Sequence, residues 1–386
     1  MKHRRRYSAD GRAKVVRVST VPGSLNTFLR GFLKRLSEDY DVLAVSSPGD
    51  ELEELREREG VRCEAVKMER HISPIRDLVS LLKLVCLFRR ERPLVVHSLT
   101  PKAGLLAMMA ARLTGVPIRI HTFTGLVFPT SKGLKRRLLM ATDWLTCSCA
   151  NYINPEGKGV ARDLAAVTSK PLHVIANGNV RGIDLDYYSR KAVEEETAKL
   201  RTEGLFTFCF VGRIVGDKGI NELAAAFDRL SRERKDVRLW LIGRFEPKLD
   251  PVSEETMQIL SNNKQIFSLG RQRDVRPFLA AADALVFPSY REGFPNVVLE
   301  AGAMDLPAIA TDINGCNEII MEGKNGELIP THDAEALYGK MKQWAGEPER
   351  VKAMAGNARQ LVAERYEQQM IWNALLAEYR QLIGNL

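Results

Sequence analysis

Two carboxylates, Glu292 and Glu300, bracket seven residues within the stretch Phe287 to Ala303, FPSYREGFPNVVLEAGA, and two cations, Arg213 and Lys218, stand upstream in VGRIVGDKG. Carboxylates accept hydrogen bonds from sugar hydroxyls, whereas an arginine forks onto two phosphate oxygens and a lysine acts as a point charge. The set suits one elongated ligand carrying both hydroxyls and a diphosphate. Arg213 and Lys218 could then neutralise the anion released when a sugar–phosphate bond breaks.

The surrounding residues predict how these groups are held. Ala284 to Phe287 is a short apolar run suited to a covered parallel strand; Pro288 and Ser289 stop it, and Gly293 lets the backbone bend and approach a ligand. A helix is expected to begin at Pro295, whose missing N–H costs nothing there, with the amides of Asn296 and Val297 facing an anion or a hydroxyl. Glu292 then lies in the loop and Glu300 about one turn into the helix, so they grip separate parts of a ligand. Gly212-Arg213 follows the apolar run Phe206 to Val211. Lys218-Gly219 is expected to open the next helix behind Asp217 as its N-cap. Purely structural readings exist: Arg213 could pair with Asp217, and Glu300 could serve the helix dipole, an effect of about 0.3–1 kcal/mol.

The ordered set Gly212-Arg213, Lys218-Gly219, Glu292-Gly293-Phe294-Pro295-Asn296 and Glu300 resembles the donor site of family-four glycosyltransferases, which are retaining enzymes of the GT-B fold. The likeness runs from about Lys14 to the C-terminus and is strongest over Phe208 to Pro330. It implies an α/β protein of two Rossmann-like, doubly wound parallel-sheet domains facing across a cleft, and a nucleotide sugar as donor substrate. By that resemblance Arg213 and Lys218 meet the diphosphate, Glu300 holds the ribose hydroxyls, and Glu292, with the amides after Gly293, holds the transferred sugar. Thr311 to Glu318, TDINGCNE, resembles the family's next glycine loop near the nucleotide, and Glu318 is given no catalytic role.

The N-terminal half supplies the acceptor-side candidates: Gly23 in the first turn, His97 in VVHSLTPKAG, His121 in IRIHTFTGL, and Thr124. Both histidines are read at strand ends. Many family members carry a histidine just before the glycine matching Gly125, where this chain has Thr124. His121 either replaces that contact, joining Arg213, Lys218 and Glu292 as a catalytic candidate, or is a packed histidine. HSLTPKAGLL and HTFTGL look like bacterial members that build capsule, O-antigen or lipid-linked oligosaccharides. The resemblance thus implies a UDP-sugar and a polyprenyl-diphosphate-linked glycan acceptor. A nucleotide-sugar epimerase and a non-catalytic sugar-nucleotide-binding subunit are the alternatives.

The whole chain is consistent with these expectations. Its 386 residues suit two domains, placed at 1–183 and 184–365, with the last helix, 366–386, crossing back to the first. Apolar runs alternate with helical stretches from Lys14 to Ala176, with Leu172 to Ala176 as the last run. Periodicity fails between Asn177 and Gly204, which reads as a linker or an exposed helical hairpin, and then resumes. The turn Val21-Pro22-Gly23-Ser24-Leu25 lacks G-x-G-x-x-G, which disfavours NAD. The six cysteines form no C-x2-C pair and no HExxH accompanies them, so neither a metal nor another cofactor is expected. Cys86 and Cys209 read as small buried hydrophobes; Cys147 and Cys149 read as packed rather than redox-active. No apolar run approaches the roughly 18 residues that span a bilayer, and MKHRRR lacks an apolar h-region, so a cytoplasmic protein is expected. Of the net charge of +9, residues 1–17 hold seven basic residues against Asp10, leaving +3 elsewhere. That segment reads as a solvated tail, or as one drawn to an anionic membrane surface on the inner face; nucleic acid is not expected.

Overall fold

The computed structural model describes residues 6–248 and 250–386 and divides into two compact units, 1–181 with 369–386, and 182–368. Each is built on a six-stranded, wholly parallel sheet. The first sheet holds β1 (Lys14–Val18), β2 (Asp41–Ser46), β3 (Arg62–Ala65), β4 (Val95–Leu99), β5 (Ile118–Phe123) and β6 (Tyr152–Pro155), in the order β3-β2-β1-β4-β5-β6. The second holds β7 (Phe206–Val211), β8 (Val237–Ile242), β9 (Ile266–Gly270), β10 (Ala284–Phe287), β11 (Ala308–Thr311) and β12 (Gly326–Ile329), in the order β12-β11-β10-β7-β8-β9. Relative to its own first strand each order is the doubly wound one. It reverses direction between β1 and β4 and again between β7 and β10, where such sheets open a crevice beyond their strand ends.

The apolar runs become central strands because both faces are covered. In the first unit Val16, Val18 and Val96 pack under the helices Pro74–Glu91, Pro101–Leu113 and Gly133–Cys149, while Val15, Val42 and Val95 point the other way. There they meet Leu25, Phe32 and Leu36, together with Trp372, Leu375 and Tyr379 of the helix Gln368–Gly384. Tyr366 ends the preceding helix and stays in the second unit, its ring against Phe294 at 5.4 Å.

Several local expectations change. Leu172 to Ala176 forms only an isolated bridge, Ile153 to Leu172, rather than a strand. The segment after Asn177 is not an exposed hairpin: Tyr188 and Val193 are buried, and Arg190 donates to the carbonyls of Met304, Ala280 and Asp305 at 2.8–3.1 Å. Cys86 is exposed, whereas Cys147 and Cys149 are buried in the core and burial pushes the Cys147 thiol up to about 12. Lys2, Arg4 and Arg5 of the basic segment lie outside the described residues, but its remainder is folded. Arg6 donates to the carbonyls of Pro93 and Gly115 at 2.6 and 2.7 Å, just past two helix C-termini where a cation is favoured, and Tyr7 bridges Ala13.

Candidate active site

The crevice between β7 and β10 collects most of the expected groups. Residues 212–219 leave β7 and residues 288–295 leave β10, and the two loops are tied together: Tyr290 N–H donates to the Asp217 carbonyl at 2.9 Å, and the Thr311 hydroxyl from β11 donates to the Ser289 carbonyl. Gly219 makes this approach feasible. It has φ +69°, and a Cβ there would lie 2.1 Å from the Pro288 carbonyl oxygen. Gly219, rather than Asp217, caps the helix Ile220–Glu233, and Lys218 sits in the tight turn Gly216–Lys218 before it. Asp217 instead donates its amide to Asp250 at 2.6 Å and lies 3.8 Å from Arg291.

Lys218 and Glu292 are brought together. The ammonium donates to Glu292 Oε1, with side chains 15% and 18% exposed, and the Ser289 hydroxyl donates to the same oxygen at 2.8 Å. The ammonium also lies 5.7 Å from the centre of the Phe287 ring, so apolar surface backs the pair. Pro295 is the N-cap rather than the first helical residue, and the helix runs Asn296–Ala303, starting one position later than expected. The turn Gly293 to Pro295 is buttressed by the TDINGCNE loop. Gly315 has φ +78°, and its Cβ would fall 2.5 Å from Pro295 Cδ and 2.7 Å from the Gly293 carbonyl. Glu300 is separately held: Tyr188 donates its hydroxyl to Glu300 Oε1 at 2.8 Å.

Arg213 pairs with Glu246, not with Asp217, at 3.6 Å and is 43% exposed. Both line a cleft of about 330 Å³ at the ends of β7, β8 and β9, whose other polar walls are Arg244, Arg271 and Gln272, over a floor of Val211, Ile242 and Val275. Arg244 and Arg271 were missed in the sequence, although they lie two residues and one residue beyond the ends of strands of a parallel sheet, the position from which ligand contacts come. Tyr188, remote from any strand end, carried no such signal.

The first unit treats its candidates differently. His97 lies in the middle of β4, not at its end, and is 1% exposed. Its Nδ1 accepts from Arg17 Nη1 at 2.9 Å and from the Tyr379 hydroxyl at 2.7 Å, so Nε2 carries the proton and donates to Thr122 Oγ1 at 2.7 Å. His121 is equally buried within β5, with Nδ1 on the Ser98 hydroxyl at 2.8 Å and its ring edge-on to Phe123. Burial holds His97 well below the ordinary histidine range and pushes His121 down to about 3. Both are packed histidines in this structure, the second of the two readings offered for His121, and their places within the strands correct the strand-end expectation. Thr124, half-buried, follows β5, and Gly23 lies in the helix Pro22–Phe28, where a Cβ would come within 2.8 Å of Glu51 Oε2.

Comparison with known proteins fits this geometry. Residues 192–361 match the family described as glycosyl transferases group 1, and residues 11–178 match the glycosyl transferase 4-like domain. The chain is 31% identical over 378 residues to the capsular polysaccharide biosynthesis glycosyltransferase CapM of Staphylococcus aureus, covering 96% of this chain and 97% of CapM. It is 27% identical over 350 residues to the UDP-Gal:alpha-D-GlcNAc-diphosphoundecaprenol alpha-1,3-galactosyltransferase of Escherichia coli, covering 86% and 88%. Anabaena HepE, solved with UDP and glucose, superposes with a TM-score of 0.79 at 17% identity, covering 95% of this chain and 99% of HepE. With two doubly wound sheets, and with CapM matched along nearly its whole length, the chain belongs to the family-four glycosyltransferases of the GT-B fold.

Proposed function

We propose that this glycosyltransferase moves a sugar from a UDP-sugar to a glycan acceptor carried on a polyprenyl diphosphate, with retention of configuration and with protein cations in place of a metal ion. The observation that carries the reading is the Lys218–Glu292 pair at the β7/β10 crevice, beside the arginine-lined cleft. A diphosphate offers Lys218 more negative charge than one carboxylate does. When the donor enters, the ammonium passes from Glu292 to the phosphates. The released carboxylate, still held by Ser289, then accepts hydroxyls of the transferred sugar. The apolar floor of the cleft suits a flat base, and Glu300 suits the ribose. The printed name of the E. coli relative, which pairs UDP-Gal with a diphosphoundecaprenol acceptor, and the UDP held by HepE support the choice of nucleotide and acceptor.

In this reaction the bond from the anomeric carbon to the β-phosphate oxygen breaks, its electron pair staying on that oxygen. The acceptor hydroxyl oxygen bonds to the anomeric carbon on the same face, and its proton passes to the departing phosphate oxygen. Charge therefore grows on the phosphate in the transition state, which in this reading is stabilised by Arg213 and Lys218. Activity is expected to survive EDTA treatment, and NMR of the product is expected to show the donor's anomeric configuration. Loss of activity on chelation with recovery on adding magnesium or manganese would refute metal independence; an inverted product would refute retention.

The two carboxylates give a second test. Glu300→Ala is expected to weaken binding of UDP alone by about 1.5–3 kcal/mol, the worth of a charge-assisted hydrogen bond. Glu292→Ala is expected to spare UDP and to erase the extra affinity contributed by the sugar. Titration calorimetry with UDP and with UDP-sugars separates the two; equal loss of UDP affinity in both variants would reverse the assignment.

A further inference from the structure

The Glu292 loop is fastened by a second set of side chains that the proposed reaction does not use. Tyr290 stands two residues before Glu292, and its hydroxyl lies 2.7 and 2.6 Å from the two carboxylate oxygens of Glu222. Its amide donates to the Asp217 carbonyl, while the neighbouring Ser289 hydroxyl donates to Glu292 itself. Glu222 lies in the first turn of the helix Ile220–Glu233, where a carboxylate is favoured by the helix dipole. Burial and then the hydrogen bond to Glu222 push the Tyr290 phenol up, so the hydroxyl keeps its proton and serves as a donor.

A third residue covers this bond. His332, between β12 and the helix Ala334–Gly346, lays its ring on that of Tyr290, with centroids 3.6 Å apart and planes at 33°, and its Nδ1 lies 3.9 Å from Glu222 Oε1. The histidine has φ +58°, a left-handed backbone, and the next residue, Asp333, caps the helix by accepting the Ala336 amide at 2.8 Å. Glycine would be unstrained at 332 but would supply no ring to cover Tyr290. Glu222, Tyr290 and His332 follow β7, β10 and β12, so the three contacts tie together chain leaving three strands of one sheet. None of the three side chains belongs to the apolar core of the second unit, so they fix the loop more than the fold.

We infer that Tyr290 is a positioning residue for sugar transfer: its bond to Glu222, covered by His332, holds the backbone from Ser289 to Glu292 so that the Glu292 carboxylate meets the transferred sugar in one orientation. This role rests on the reaction proposed above, in which Glu292 accepts the sugar hydroxyls. Only Arg291 separates Tyr290 from Glu292 in the chain, so a loop released at Tyr290 moves the carboxylate directly. A displacement of about 1 Å at a reacting group costs on the order of a hundredfold in rate. The groups assigned to UDP are anchored elsewhere: Glu300 on Tyr188, and Arg213 beside Glu246. Loss of the Tyr290 bond therefore acts on the sugar and leaves the nucleotide in place.

The test uses the full chain and whichever of UDP-glucose, UDP-galactose and their N-acetylamino counterparts the parent binds most tightly, with rate read as UDP released. Tyr290→Phe is expected to lower kcat by about ten- to a hundredfold, with UDP affinity and melting temperature nearly those of the parent. Glu222→Ala should behave like Tyr290→Phe, whereas Glu222→Gln, which keeps an oxygen for the phenol, should recover most of the rate. His332→Gly removes the ring and relaxes the backbone, so it is expected to slow release without lowering the melting temperature. In a Glu292→Ala background, Tyr290→Phe should cost nothing further, because the group it positions is gone. A parental rate in Tyr290→Phe, a loss that adds in full to that of Glu292→Ala, or a fall in UDP affinity and melting temperature matching the fall in rate would each overturn the positioning role while leaving the reading of Glu292 intact. Parental donor affinity and rate in Glu292→Ala would instead remove that reading, and the role of Tyr290 with it.

Discussion

Replacing Lys218 with alanine is expected to lower kcat by about 10²–10³, the usual cost of removing one fixed donor aimed at developing charge, while weakening UDP binding much less. The asymmetry follows from its surroundings. The ammonium pairs with Glu292 and is backed by Phe287, so the fold fixes its position and little reorganisation is needed as charge moves onto the phosphate. Glu292 is left beside the vacated space in the variant, so it adds a repulsion the parent lacks. Lys218→Ala with Glu292→Gln is therefore expected to regain UDP affinity relative to Lys218→Ala alone, but not the rate. Steady-state kinetics with UDP titration decide the matter: a loss of affinity as large as the loss of kcat/KM would assign Lys218 to ground-state binding only.

His97→Leu is expected to act on stability rather than on chemistry, costing about 3–5 kcal/mol in urea unfolding because it removes an acceptor from a buried guanidinium. Arg17 is 1% exposed, and its acceptors are His97 and Tyr379. Such variant protein as remains folded should bind UDP with the parent's affinity. The same network predicts acid sensitivity. Both buried histidines have native pKa values below the unfolded value of about 6.5, so below that pH the unfolded chain binds protons the native state refuses. Stability is full above this pH and declines as pH falls through it, at about 1.4 kcal/mol per pH unit for each histidine, until the native group titrates. For His121 that lies near 3. The leucine variant, though less stable at neutral pH, should show the smaller slope between pH 6 and pH 5. Unchanged stability with abolished transfer would return His97 to the active site.

What was legible in the sequence follows from the range of the forces involved. Apolar runs such as Ala284 to Phe287 and Phe206 to Val211 specify covered parallel strands by themselves, and the residues leaving those strands identify the Glu292 loop and Gly212-Arg213. Partnerships between distant residues carried no local sign. The Lys218–Glu292 and Tyr188–Glu300 contacts join residues 74 and 112 positions apart, and each changes what its carboxylate can do before ligand arrives. The histidines were misplaced for a different reason. In a sheet covered on both faces only the residues beyond the strand reach the crevice; His97, two residues before the end of β4, is already beneath a helix.

The helix Gln368–Gly384 has a bearing on how the chain acquires its shape on the ribosome. Trp372, Leu375 and Tyr379 complete the core of the first unit, yet they are synthesised after every residue of the second. The segment 182–368 is contiguous and can close as soon as it emerges, whereas the earlier-made sheet waits with Phe32 and Arg17 uncovered, the latter 362 positions from its Tyr379 partner. Order of synthesis and order of completion are therefore reversed, and the unit begun first is the one that nascent-chain chaperones have longest to guard.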